Sequence, residues 1–76
     1  MLHINELVEG DQVRLIGFGH TKPLYRQRLL ALGITRGLII VIGKRAPLGC
    51  PVQIIVRGTT LTLRESEATH LVWERL

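Results

Sequence analysis

Three histidines, one cysteine and six acidic residues are the side chains of this chain able to carry chemistry, and their spacing decides which kinds stay open. His3, His20, His70 and Cys50 are the soft or borderline metal ligands, and each stands alone in the sequence. Structural zinc is held by clustered pairs such as Cys-x-x-Cys or His-x-x-x-His, so this spacing specifies no metal site, although isolated histidines can converge in space. Cys50 lies between Gly49 and Pro51, with Arg45 as its nearest base and no adjoining histidine, so nothing activates its thiol. The acids Glu6, Glu9, Asp11, Glu65, Glu67 and Glu74 fall in turns or near the termini and form no pair on one face. Glu65 and Glu67 are two apart, point in different directions on a helical turn, and are expected as solvated charges. Gly17-Phe-Gly19 occupies the place of a phosphate loop, but no third glycine and no Gly-Lys-Ser/Thr follows, so it reads as a turn. A catalyst needs a nucleophile or base beside an orienting group, or a metal held open to substrate. No catalytic residue, metal ligand set or cofactor is assigned from these residues.

Composition narrows the classes further. Seventy-six residues make one thin-cored domain over residues 1–76, and the single cysteine excludes a disulfide within the chain. A lone thiol suits a reducing, cytoplasmic compartment. Met1 to Gly10 mixes His3, Glu6 and Glu9 among its apolar residues, which is no signal peptide, and Leu38 to Ile42 is far shorter than the ~20 residues of a membrane span. An apolar fraction of 46% argues for a real core and against disorder. The net charge of +4 invites acidic partners, yet the basic residues are scattered and only Phe18, Tyr25 and Trp73 are aromatic. Such a chain stocks neither a base-stacking platform nor a polyproline groove, so nucleic acid is not an expected partner.

These residues must be positioned by short elements. Asn5 to Gly10 reads as one helical turn with Asn5 as its cap. Gln12 to Phe18 alternates as a strand with Val13 and Leu15 inward. Pro23 suits the first position of a helix whose apolar stripe is Tyr25, Leu29 and Leu32, with Arg26 and Arg28 solvated and Gly33 closing it. Leu38 to Ile42 is a β-branched run expected to be covered on both faces, with Gly43 allowing a sharp bend. Ala46 to Pro51 is a loop. Val52 to Arg57 and Thr60 to Arg64 are strands joined by a Gly58-Thr59 turn, followed by one helical turn from Glu65 and a last strand from Leu71 to Leu76. The result is a mostly β chain: a small, strongly bent barrel of about five strands, with one helix inserted after the first strand and short helical turns near both termini.

Arg28-Leu-Leu-Ala-Leu-Gly-Ile34, then Gly37, then Ala46-Pro-Leu-Gly49 resembles the FeoA family, the small cytosolic component of bacterial ferrous-iron uptake. Leu63-Arg64, Glu67-Ala68 and Leu71-Val-Trp73 extend the resemblance, which runs from about Leu7 to Trp73. It implies an SH3-like barrel and association with the FeoB-type membrane transporter through that protein's cytosolic domain, so that membrane contact is made only through the transporter. It also implies a non-catalytic accessory role. A barrel that binds a divalent metal ion directly is the alternative. Family members often carry an acid where this chain has Cys50, so a contact made by that acid would be changed here.

A partner-binding face needs apolar anchors left outside the core with charge around them. Leu24, off the helix stripe and near Lys22, Arg26 and Arg28, meets that description. So does the loop with Pro47, Leu48 and Cys50. Leu24, Arg26, Pro47, Leu48 and Cys50 are therefore the candidate contact residues, for the transporter or for self-association. The competing reading packs Leu24 on Leu48 to close one end of the barrel.

Overall fold

The computed structural model describes residues 2–45 and 51–76. A 3₁₀ turn at Ile4–Glu6 leads into β1 (Gln12–Gly17), helix α1 (Pro23–Ala31) and β2 (Ile39–Arg45). There follow β3 (Val52–Val56), β4 (Thr59–Leu63), the single-turn helix α2 (Glu65–Ala68) and β5 (Val72–Arg75). The expected order of elements is present. All pairings are antiparallel, in the order β4-β3-β2-β1-β5.

Two irregularities bend this sheet around its core. The β1–β5 register shifts between Leu15 and Gly17, and the β2–β3 register shifts between Ile42 and Arg45. At the second, a Cβ on Gly43 would stand 3.1 Å from the Gln53 Cβ, a tight contact that any larger residue could make only if Gln53 gave way by a few tenths of an ångström. Bulges of this kind sharpen the local twist and turn a strand's direction. The ladder ends at β4 and β5 without joining them among the described residues, so the expected closure is incomplete in hydrogen bonds. The free edge of β5 is met instead by Leu2, which exchanges two 2.8 Å hydrogen bonds with Trp73.

The inner face supplies the core: Val13 and Leu15 from β1, Ile40 and Ile42 from β2, Val52 and Ile54 from β3, Leu63 from β4 and Trp73 from β5. Ile4, Leu7, Leu29, Ile34, Ala68 and Leu71 are buried in the same cluster. Each fully buried large side chain is worth about 1.5–3 kcal/mol relative to exposure. Arg45 secures the N-terminal turn, donating from Nη1 to the Leu7 carbonyl and from Nη2 to the Ile4 carbonyl, both at 2.7 Å.

Five expectations are corrected. The first turn is flanked by His3, not capped by Asn5, and the Glu6 carboxylate accepts from the His3 N–H at 3.1 Å. The run in β2 is covered on one face only: Leu38, Ile40 and Ile42 point in, while Ile39 is exposed and Val41 half-buried, because among the described residues the sheet is a single layer with no second layer on its outer face. The β3–β4 hairpin turns at Arg57-Gly58, both with positive φ (51° and 81°), and Val56 pairs with Thr59. That is the geometry whose twist matches a tight hairpin, and it brings Thr59 into the strand.

The helix stripe is the fourth correction. Leu29 is the one fully buried residue of α1, Tyr25 is half-buried and Leu32 is 44% exposed. The chain leaves the helix before Leu32 can turn inward. The Gly33 N–H donates to the Leu30 carbonyl at 3.0 Å and the Ile34 N–H to the Leu29 carbonyl at 2.9 Å. This pair of bonds around a left-handed glycine sends Ile34 into the core position that Leu32 was expected to fill. Glu67 is the fifth correction. Its side chain is only 2% exposed, turned inward on α2 beside Ala68, and 3.4 Å from the Arg28 guanidinium.

Candidate functional site

Helix α1 is held to the body at few points, and those points decide what it presents. Pro23 stands at its start with Lys22 as the cap residue, and its first turn contains no acid. Arg26 lies with its guanidinium 5.4 Å from the centroid of the Phe18 ring, a cation–π contact. Arg28 reaches the buried Glu67. Leu29 is the residue of the helix inserted in the core, and the two arginines reach the body from its flanks.

Leu24 is left 79% exposed, the most exposed large apolar side chain among the described residues. It lines a shallow, mainly apolar recess with Lys22, Pro23 and Tyr25. Leu24 and Arg26 are two apart and do not share a helix face. Arg26 covers Phe18 and does not line the Leu24 recess, so the cation beside Leu24 is Lys22. Pro47, Leu48 and Cys50 lie outside the described residues, and with them the proposed packing of Leu48 on Leu24.

Two surface features escaped the sequence reading. On the outer sheet face Val41 of β2 stands directly opposite Ile55 of β3, with Ile39 one step along the same face. Strict alternation applied to both strands would have placed all three outside. The second is a meeting of His20 with His70, which belong to distant turns and carry no sequence signal of their proximity.

The acids are mostly engaged. Glu74 pairs with Arg14 at 2.8 Å across β1 and β5, and Glu6 lies 3.7 Å from the His3 ring. Asp11 accepts from the Val8 N–H at 2.8 Å and from Arg75 at 3.0 Å. These contacts hold its carboxyl below the ordinary value, the Val8 amide contributing most. Among the described residues no three His, Cys, Asp or Glu side chains converge as a ready metal cluster.

The chain matches the FeoA domain family over residues 2–75. It is similar in structure to a FeoA-like protein from Clostridium acetobutylicum, at 35% identity and a TM-score of 0.85, over 99% of this chain and 86% of that one. The FeoA protein of Chlorobium tepidum is 32% identical with a TM-score of 0.87, over 99% of this chain and 70% of that one. The FeoA of Stenotrophomonas maltophilia, solved in complex with zinc and described as a procaryotic SH3 domain protein, is 25% identical with a TM-score of 0.78. That match covers 97% of this chain and 91% of the other.

Proposed function

The chain belongs to the FeoA family, and on that premise we propose that it is a non-catalytic accessory protein of ferrous-iron uptake. It acts from the cytosol by contact with the cytosolic domain of a FeoB-type transporter, for which ferrous iron is the cargo. The Stenotrophomonas relative, described as a candidate activating factor of bacterial ferrous iron transport, supports the same system. No helix among the described residues is long and apolar enough to cross a membrane. The reading assigns membrane contact to the transporter.

The observation that carries the contact reading is the exposure of Leu24 beside Pro23, Tyr25 and Lys22. A single exposed leucine is ordinary on a protein surface. One that lines an apolar recess next to a cation, on a helix whose other contacts are already made, has the form of an interface anchor. The acids support a non-catalytic role, since Asp11, Glu67 and Glu74 lie in ion pairs with arginines of the same chain and Glu6 is engaged with the His3 backbone N–H.

The test is a calorimetric titration of the chain onto the transporter's cytosolic domain. Leu24→Ser is expected to weaken binding by about 2 kcal/mol, roughly thirtyfold, with the melting temperature kept within a few degrees. Unchanged affinity would remove α1 from the interface, and absence of binding by the parent chain would overturn the reading.

A further inference from the structure

The rings of His20 and His70 meet edge to face, with centroids 6.3 Å apart and planes at 89°. His20 stands in the turn between β1 and α1, His70 in the turn between α2 and β5, and both are exposed. Their backbones are fixed. The Phe18 carbonyl accepts from the Thr21 N–H at 3.0 Å and also from its hydroxyl, while the Leu71 N–H donates to the Ala68 carbonyl at 3.1 Å. Between the two turns, Gly19 (φ +54°) packs so close to the His70 carbonyl oxygen that a Cβ there would overlap it.

We propose that His20 and His70 form a two-imidazole site for one divalent transition-metal ion of the borderline class, such as zinc, cobalt(II) or iron(II). Imidazole nitrogens hold such ions at about 2.0–2.1 Å, which places the centroids of two rings sharing a tetrahedral ion roughly 5 Å apart. The observed separation is about 1 Å longer, so sharing one ion requires the two exposed rings to swing toward each other. No further pair of His, Cys, Asp or Glu completes the set among the described residues, so water fills the remaining positions. That makes the site open and exchangeable, unlike the closed four-ligand sites that hold small folds together. The competing account is a plain aromatic contact between two surface rings, which has no dependence on metal.

The site is tested on the isolated chain, so its outcome is separate from that of the transporter contact. Zinc, and iron(II) under anaerobic conditions, are titrated at about pH 7.5, so that protons compete little for the metal. The expected result is one ion per chain, with the ring resonances of His20 and His70 shifting together while those of His3 stay in place. His20→Ala or His70→Ala alone removes the calorimetric signal, and His3→Ala preserves it. His20→Gln and His70→Gln, which keep a polar side chain, give the same loss if either alanine variant is poorly folded. Binding that survives both single substitutions, binding that depends on His3, or no binding at millimolar zinc overturns the proposal.

Discussion

Glu67 carries a carboxylate into an almost fully buried position, where its Oε2 lies 3.4 Å from Arg28 but makes no hydrogen bond among the described residues. A buried charge is costly to leave alone, and replacing it by a neutral isostere removes both the desolvation penalty and the attraction. Glu67→Gln is therefore expected to change stability by less than about 1 kcal/mol. Arg28→Ala strips the partner and leaves the charge in place. Because Arg28 is itself 60% exposed and screened, its loss should cost about 1–3 kcal/mol, below the range for a fully buried pair. The double variant, with no charge left to strand, should be no less stable than Glu67→Gln alone. Urea unfolding of the three variants measures this, and additive single effects would show that the two side chains do not couple. None of this was legible in the sequence. The types and spacing of Glu65 and Glu67 show that the two point in different directions, but they cannot say which direction is inward. That depends on where α2 sits, which is set by long-range packing.

At the scale of the element, punctuation was legible and orientation was not. Pro23 at the start of α1 and Gly33 beyond its end were readable because each residue type has one conformational preference that suits those positions. The buried face was read from a period that assumes the helix continues to Leu32, whereas it ends at Ala31 and the chain reverses so that Ile34 enters the core. The same limit applies to β2. A β-branched run identifies a strand, but only the presence of a second layer would cover Ile39 and Val41, and among the described residues none lies on that face. The helix reading has a direct test. Leu29→Ala should cost about 2–4 kcal/mol through lost burial and a cavity, a large fraction of the stability of so small a domain. Leu32→Ala should cost less than about 1 kcal/mol, since much of that side chain is already in water. Equal shifts in the denaturation midpoint would mean that Leu32 packs as the simple helical period requires. The candidate contact residues follow the same pattern. The exposure of Leu24 follows from its position off the stripe, whereas the engagement of Arg26 with Phe18 depends on a turn that no periodicity describes.

Across the whole molecule, the strands and their alternation were enough to specify a bent β architecture, while the contacts that join its ends are between residues far apart in the chain. Leu2 pairs with Trp73, the Leu76 N–H donates to the Gln12 carbonyl, and Arg75 reaches both the Glu6 carbonyl and the Asp11 carboxylate. Asp11 thus links the N-terminal segment to β5, and its depressed pKa makes that link sensitive to acid. The unfolded chain titrates this carboxyl near the ordinary value of about 3.9, the folded chain below it. Between those two values the unfolded state binds more protons, so stability rises with pH there. The contribution is fully present above about pH 5 and is lost as pH falls through the folded value. Asp11→Asn keeps an oxygen that can accept from Val8 but gives up the charge facing Arg75. It should lower the urea midpoint at neutral pH and flatten the loss of stability on acidification, so that parent and variant converge in acid. Parallel curves at every pH, with a constant gap between them, would show that the carboxylate is not what ties the two ends together.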